Sequence, residues 1–299
     1  MVSFTRDFEP RYGEAVEIVP GVRRITARNP GPFTFRGTNT YLVGTHEVVM
    51  IDPGPLLDEH LAAIDRALGG ARVEAVAVTH RHLDHTAAVS TVAAAHDAPV
   101  AAFPVEAARP ADAEPVNSVD AARDRGLAVD LPLRDGTVLS AGEASLAALH
   151  TPGHASDHLC LALQDTGILF SADHVMGWST TVVAPPDGRM RDYMTSLERL
   201  IGRDETLYLP GHGNVIEEPL RLVRGLHAHR RQREAGILGR LAAGDRTISD
   251  IVAKLYQGID PGLHNAAALS VQAHLEDLVE RGLVDMATSS GRPAEFHPI

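Results

Sequence analysis

The ten residues from Val78 to Ala87, VTHRHLDHTA, constrain this chain more than any other stretch. They place His80, His82, Asp84 and His85 directly after an apolar run that reads as a β-strand, so four strong metal ligands share one strand end. In a chain of 16 histidines such a turn can be a plain solvated loop. Three further ligands recur in the same setting, however: His154 in HTPGHASDH, Asp173 in LFSADHVMG and His212 in LPGHGN each follow a predicted strand, in or beside a turn. Strand ends along one edge of a sheet converge in space and bring distant residues to one cavity. Five imidazoles and two carboxylates suit zinc, with iron or manganese as alternatives, and suffice for two cations per protomer. His80 and His82, two apart at a strand end, can face one ion, while Asp84 and His85 turn onto the next loop toward another.

Convergence of this kind needs an α/β framework, and the hydrophobic patterning supplies it. Strand-like runs occur at VEIVPGVRRITA, TNTYLVGT, EVVMIDPG and VEAVAVTH, with helical LLDEHLAAIDRALGG between the last two. A second round follows: helical HTAAVSTVAAAHD, strand APVAAF, strands in GTVLSAGEASLAALHT, HLCLALQDT and GILFSAD, helix MRDYMTSLERLI and strand TLYLPGHG. Two rounds predict two facing sheets with helices outside. Residues 120–136 read as an irregular connection. Beyond His212 the pattern is helix, helix, helix, hairpin, the order of a winged-helix module, and 299 residues accommodate both units. The expected division is 1–223 for the α/β domain and 224–299 for the winged-helix-like domain.

THRHLDH, TPGH, SADH and PGHG, in that order, resemble the motif set of the metallo-β-lactamase superfamily over most of residues 1–220. The resemblance implies a four-layer αββα sandwich in which His80, His82 and His154 hold one metal, Asp84, His85 and His212 hold the second, and Asp173 bridges. Asp173 stands where the zinc β-lactamases carry a cysteine ligand, which disfavours antibiotic hydrolysis and points toward the glyoxalase II, ribonuclease and lactonase side. NPGPFTFRGTNTYLVG, from Asn29 to Gly44, together with the C-terminal module, resembles the lactamase-β-like protein 2 family. That family includes an endoribonuclease acting on single-stranded RNA, and polyketide thioesterases lie nearby.

Two cations about 3.5–4 Å apart would lower the pKa of a bridging water, generate hydroxide at neutral pH and polarise a carbonyl or phosphoryl oxygen. Asp84 is the expected catalytic residue, orienting that hydroxide while ligating, and Asp173 would fix the metal separation. His158 and His174, beside ligand positions, are candidate hydrogen-bond donors behind the ligands, candidate proton donors to a leaving group, or ordinary structural histidines. GTNTY, Gly37 to Tyr41, offers N–H groups and hydroxyls to a substrate or is a simple turn into a strand. Trp178 either lines the pocket or packs its own loop.

Charge decides between electrophiles. The formal net charge is -12 and the pI about 5.7, so the average surface repels nucleic acid and anionic membranes. The longest C-terminal helix carries Glu276, Asp277 and Glu280 against Arg281, a poor face for phosphates, so DNA is not an expected partner and the module reads as a wall of the cleft or a homodimer contact. The dense cations are Arg230, Arg231 and Arg233, with Arg221 and Arg224 upstream. The N-terminus has no apolar run of signal-peptide length, and the lone Cys160 asks for no oxidising compartment, which together read as cytoplasmic. The expected function is hydrolysis of an ester or thioester of a small or carrier-linked acyl substrate. The rival is a metal-dependent endoribonuclease, and a non-catalytic metal-binding module is disfavoured by the full ligand set.

Overall fold

The structure is a computed structural model and describes residues 2–105, 114–142, 144–258, 263–288 and 293–299. Its first sheet follows chain order: β1 (Ala15–Val19), β2 (Val22–Thr26), β3 (Asn39–Val43), β4 (Glu47–Ile51), β5 (Arg72–Ala77), β6 (Val100–Ala102) and β7 (Leu131–Pro132). β1 to β4 pair antiparallel, and β4 to β7 pair parallel through crossovers. Two of those crossovers carry the helices α1 (Asp58–Leu68), α2 (Leu83–Thr86) and α3 (Val89–His96). The second sheet runs β12 (Leu207–Pro210), β11 (Ile168–Ala172), β10 (Leu159–Leu163), β9 (Ala144–His150) and β8 (Val138–Ala141).

Strand periodicity explains why the sheets stack. In β10, Leu159, Leu161 and Leu163 enter the core between the sheets, while Cys160 and Ala162 face the helices behind. In β4, Val49 and Ile51 point into the same central core, and Val48 and Met50 pack outward with Ile64 of α1 and Val89 and Val92 of α3. Both faces are covered, so the strands read as continuous apolar runs rather than alternating ones. α5 (Met190–Ile201) and the start of α6 (Pro219–Ala242) close the outer face of the second sheet. The result is the four-layer αββα sandwich.

Residues 120–136 are less irregular than expected. α4 (Ser118–Ala121), capped by the Asn117 side chain, leads into them, and Leu131–Pro132 form the edge strand β7 against Ala101 and Ala102, with Leu133 in the central core. Two paired residues are too short for any periodicity to reveal.

The C-terminal elements are the end of α6, α7 (Ile248–Leu255), α8 (His264–Glu280) and the antiparallel pair β13 (Val284–Ala287) and β14 (Glu295–Pro298); part of the expected hairpin turn, residues 289–292, lies outside the described residues. α6 belongs to both units: Val223 and Leu226 sit in the outer core of the sandwich, and Ile237 and Leu241 sit in a separate C-terminal core with Ile251, Leu275 and Phe296. The 223/224 division therefore falls within one continuous helix. Two of the acidic residues of α8, Asp277 and Glu280, pair with the sandwich, where Arg191 of α5 meets Asp277 at 3.0 Å and Arg189 meets Glu280 at 2.7 Å, while Glu276 stays exposed. Their role is interdomain pairing, which composition alone cannot separate from a solvated face. Among the described residues, no helix is long and apolar enough to cross a membrane.

Candidate metal centre

Four loops at one edge of the two sheets carry the chemistry. The loop after β5 delivers His80 and His82, and the short helix α2 turns Asp84 and His85 inward. β9 ends at His150, and the chain reaches His154 only through Gly153, whose φ of +136° and a virtual Cβ 2.3 Å from the Tyr193 backbone exclude any side chain. β11 ends at Ala172 and presents Asp173, and β12 ends at Pro210 ahead of His212.

All seven side chains named from the sequence meet there. His82 Nδ1 lies 3.0 Å from His80 Nε2 and 3.1 Å from His154 Nε2. On the other side, His212 Nε2 is 3.2 Å from Asp84 Oδ2, and His85 Nε2 is 3.5 Å from the same oxygen. Asp173 stands between the groups, its Oδ2 3.3 Å from His212 Nε2 and 3.8 Å from His154 Nε2, its Oδ1 3.6 Å from His85 Nε2. Donors about 2.0–2.2 Å from one ion stand roughly 3–3.5 Å from each other, which is close to this spacing.

Hydrogen bonding tests whether cations fit. His154 Nδ1 faces the carbonyl of Val182 at 2.7 Å, His212 Nδ1 that of Gly37 at 3.1 Å, and His85 Nδ1 the carboxylate of Asp52 at 2.9 Å. Each of these bonds places the proton on Nδ1 and leaves the Nε2 lone pair aimed inward. His85 Nε2 and Asp173 Oδ1 are buried without any hydrogen-bond partner. Converging lone pairs that nothing in the protein satisfies are the signature of a cation site.

The charges agree. Burial, with the neighbouring histidines, holds His80 well below the usual histidine range and His82 down to about 3, so both remain neutral donors. Burial also acts on His85 and His212, but carboxylates outweigh it: Asp84, Asp173 and Asp52 raise His85 well above its ordinary value, and Asp173 and Asp84 raise His212 to about 9. Against their own burial, Asp84 and Asp173 are held below the usual carboxylate range by His85 and His212. A divalent cation on that side competes with protons for these nitrogens.

One functional residue escaped the sequence reading. Asp52, at the end of β4, accepts the Thr79 amide at 2.8 Å, the Thr79 hydroxyl at 2.6 Å and His85 Nδ1–H at 2.9 Å. The Thr79 hydroxyl, its proton committed to Asp52, accepts from His80 Nδ1–H at 3.1 Å. Asp52 thus orients a ligand in each group, and its only sequence signal was a carboxylate ending an apolar strand in VVMIDPG. Asp52→Ala is expected to weaken zinc affinity by about 10–100-fold, the usual penalty for losing a partner behind a ligand. Competition with a chromogenic chelator measures it, and an unchanged affinity would show that His80 and His85 are held by packing alone.

The other candidates resolve differently. His158 and His174 have no exposed surface; His158 bonds Thr151 Oγ1 at 2.9 Å, and His174 packs on the Tyr193 ring at 4.7 Å, pushed down to about 3 by burial. GTNTY braces the site instead of facing a ligand: Gly37 holds His212, and Asn39 Nδ2 donates to the carbonyls of Pro210 and Gly213 at 3.0 and 2.9 Å. Trp178 stacks on Phe35 at 4.8 Å and also lines a cleft of about 280 Å³ between the sandwich and the C-terminal helices. A larger groove of about 360 Å³, between Val2 and Arg221, has none of the seven side chains in its lining.

Comparison with known proteins places these features in a family. Residues 33–212 match the metallo-beta-lactamase superfamily, and residues 247–292 match the beta-lactamase associated winged helix domain. A beta-lactamase-like protein 2 homolog of Caenorhabditis elegans is 31% identical, over 88% of this chain and 86% of that protein. An atrochrysone carboxyl ACP thioesterase of Passalora fulva is 31% identical, over 83% of this chain and 71% of that protein. A beta-lactamase domain protein from Burkholderia ambifaria has the same fold, with a TM-score of 0.81 at 23% identity over 100% of this chain and 97% of its own.

Proposed function

This chain belongs to the metallo-beta-lactamase superfamily of metal-dependent hydrolases, and from that premise we propose that it is a dinuclear zinc enzyme cleaving acyl thioesters of small or carrier-linked substrates. The observation that carries the reading is the pair of donor groups sharing one carboxylate: His80, His82 and His154 on one side, Asp84, His85 and His212 on the other, Asp173 within reach of both.

When bound there, a metal pair supplies an activated water and Lewis acidity toward the acyl carbonyl. The protein does the rest. Asp84 keeps 27% of its side chain exposed, against 8% for Asp173, so it is the carboxylate placed to accept a hydrogen bond from the attacking water and to set its direction. Asp52, Thr79, Gly37 and Val182 hold the imidazoles so that little reorganisation accompanies reaction. The thioesterase relative supports a sulfur leaving group, which departs without the strong acid that an amine would need, in keeping with the burial of His158 and His174.

A single zinc-loaded preparation assayed on acyl thioesters, simple esters, lactones and single-stranded RNA tests the proposal, with Asp84→Ala as the blank for contaminating nuclease. The expected result is Asp84-dependent thioester hydrolysis exceeding RNA cleavage in kcat/KM. Asp84-dependent RNA cleavage that falls steeply with salt, without acyl hydrolysis, would overturn it.

A further inference from the structure

α6 brings one arginine into the interior. Arg230 is 3% exposed, its Nη2 donates to the carbonyl of Thr181, and its guanidinium lies 5.3 Å from the centre of the Tyr193 ring. Its Nε has no partner, and no carboxylate lies within ion-pair distance of it among the described residues. Burying a cation costs several kcal/mol unless an anion compensates, and a chain with 39 acidic residues supplies none here. Arg233, one turn on, is half-buried over the Tyr256 ring at 4.6 Å and donates to the Leu255 carbonyl at 3.2 Å.

Both arginines line the 280 Å³ cleft between the two domains, with Arg6 also in its lining. Among its described lining residues there is no carboxylate, and the rest of the wall combines apolar Phe33, Met176, Trp178 and Leu263 with neutral polar residues such as Ser179 and Ser270. The cleft wall is bonded to the ligand cluster, although none of the seven ligands is in the lining: the Thr181 hydroxyl donates to the Asp173 carbonyl at 2.7 Å, and the next residue, Val182, holds His154. The neighbouring imidazoles of His229 and His274 are pushed down to about 4 and about 3, by burial first and by Arg230 next, so the arginines stand as the local charge. The rest of the basic cluster points elsewhere. Arg231 and Arg224 are exposed, and Arg221 pairs with Glu218 at 2.9 Å.

Resting on the thioesterase reading, we propose that Arg230 and Arg233 form a site for one oxyanion group, a carboxylate or a phosphate, borne on an apolar arm of the substrate. That anion occupies the interdomain cleft while the scissile carbonyl lies at Asp84 and Asp173. One buried arginine and one half-buried neighbour match a single anion. They do not make a track for a polyanion, which needs cations repeated along a groove.

The test uses full-length zinc-loaded protein and two matched substrate pairs: acyl thioesters ending in carboxylate or methyl on the acyl side, and thioesters of phosphopantetheine or pantetheine on the thiol side. In one pair the anionic member is expected to be preferred by about tenfold in kcat/KM. The preferred pair identifies whether the anion is carboxylate or phosphate. Arg230→Met should reduce the preference to about twofold or less through KM, Arg233→Ala should reduce it partly, and Arg231→Ala should leave it intact. Equal rates within both pairs, or a preference that survives Arg230→Met and Arg233→Ala, would overturn the proposal. Should no thioester be hydrolysed, the thioesterase reading fails, and calorimetric binding of hexanoate and hexyl phosphate decides the anion site separately. Binding weakened about tenfold by Arg230→Met but not by Arg231→Ala supports it. Absent binding, equal affinity across the variants, or displacement by a single-stranded RNA with steep salt dependence refutes it. If Arg230→Met lowers Tm sharply, the Arg233→Ala and Arg231→Ala comparison carries the same decision.

Discussion

Asp173→Ala is expected to lose both metal ions and to lower kcat/KM by roughly a thousandfold, equivalent to about 4 kcal/mol of transition-state stabilisation. The reason is that one carboxylate serves two groups of donors, with Oδ2 3.3 Å from His212 Nε2 and 3.8 Å from His154 Nε2, and Oδ1 3.6 Å from His85 Nε2. Removing it leaves three imidazoles on one side and Asp84 with two imidazoles on the other, without the charge that holds two cations close together. His82→Ala, by contrast, withdraws a donor from one group and should lower occupancy mainly there. Metal content after equilibrium dialysis at fixed free zinc separates the cases, with Tm reporting on folding and Asp173→Asn conserving volume. If Asp173→Ala keeps two tightly held ions, the shared-carboxylate arrangement is wrong.

Gly211→Ala should be nearly as damaging although it removes no ligand, with an expected loss of about a hundredfold in zinc affinity, the upper end of what support groups contribute. A Cβ at this position would lie 2.4 Å from Asp173 Oδ1 and 2.8 Å from His85 Cε1. The backbone cannot back away, because the Gly211 amide donates to the Ala172 carbonyl at 3.0 Å and its carbonyl accepts the Asn39 amide at 2.8 Å. Gly211 is not among the positive-φ glycines, so alanine is acceptable to the backbone itself and the penalty falls on the site. A variant that binds zinc as tightly as the parent would mean that Asp173 and His85 can shift without loss, and the centre is looser than its geometry indicates.

Local patterns in the chain carried a great deal. Leu159, Leu161 and Leu163 alternate with Cys160 and Ala162 because a strand exposes successive residues to opposite layers, and that period survives in the sequence whatever packs against it. The ligands were legible for a related reason: His80, His154, Asp173 and His212 stand where strands end, and strand ends along the shared edge of two stacked sheets come together. The helix order of the C-terminal module could be read in the same way, since each helix has its own apolar stripe.

Only the tertiary structure decided the contacts between segments remote along the chain. Asp52 meets His85 from another strand end, Asn39 ties β3 to Pro210 across the edge, and Arg230 reaches Thr181 from a helix that serves two cores. Glu280 and Asp277 pair with arginines of or beside α5, and His158 and His174 prove to be fully buried, His158 bonded to Thr151 and His174 packed on Tyr193. A carboxylate, an arginine or an imidazole has the same identity in a sequence whether it is solvated, paired or buried. Burial and partner set its charge and its reach, and both are properties of the packed layers rather than of the residues on either side of it.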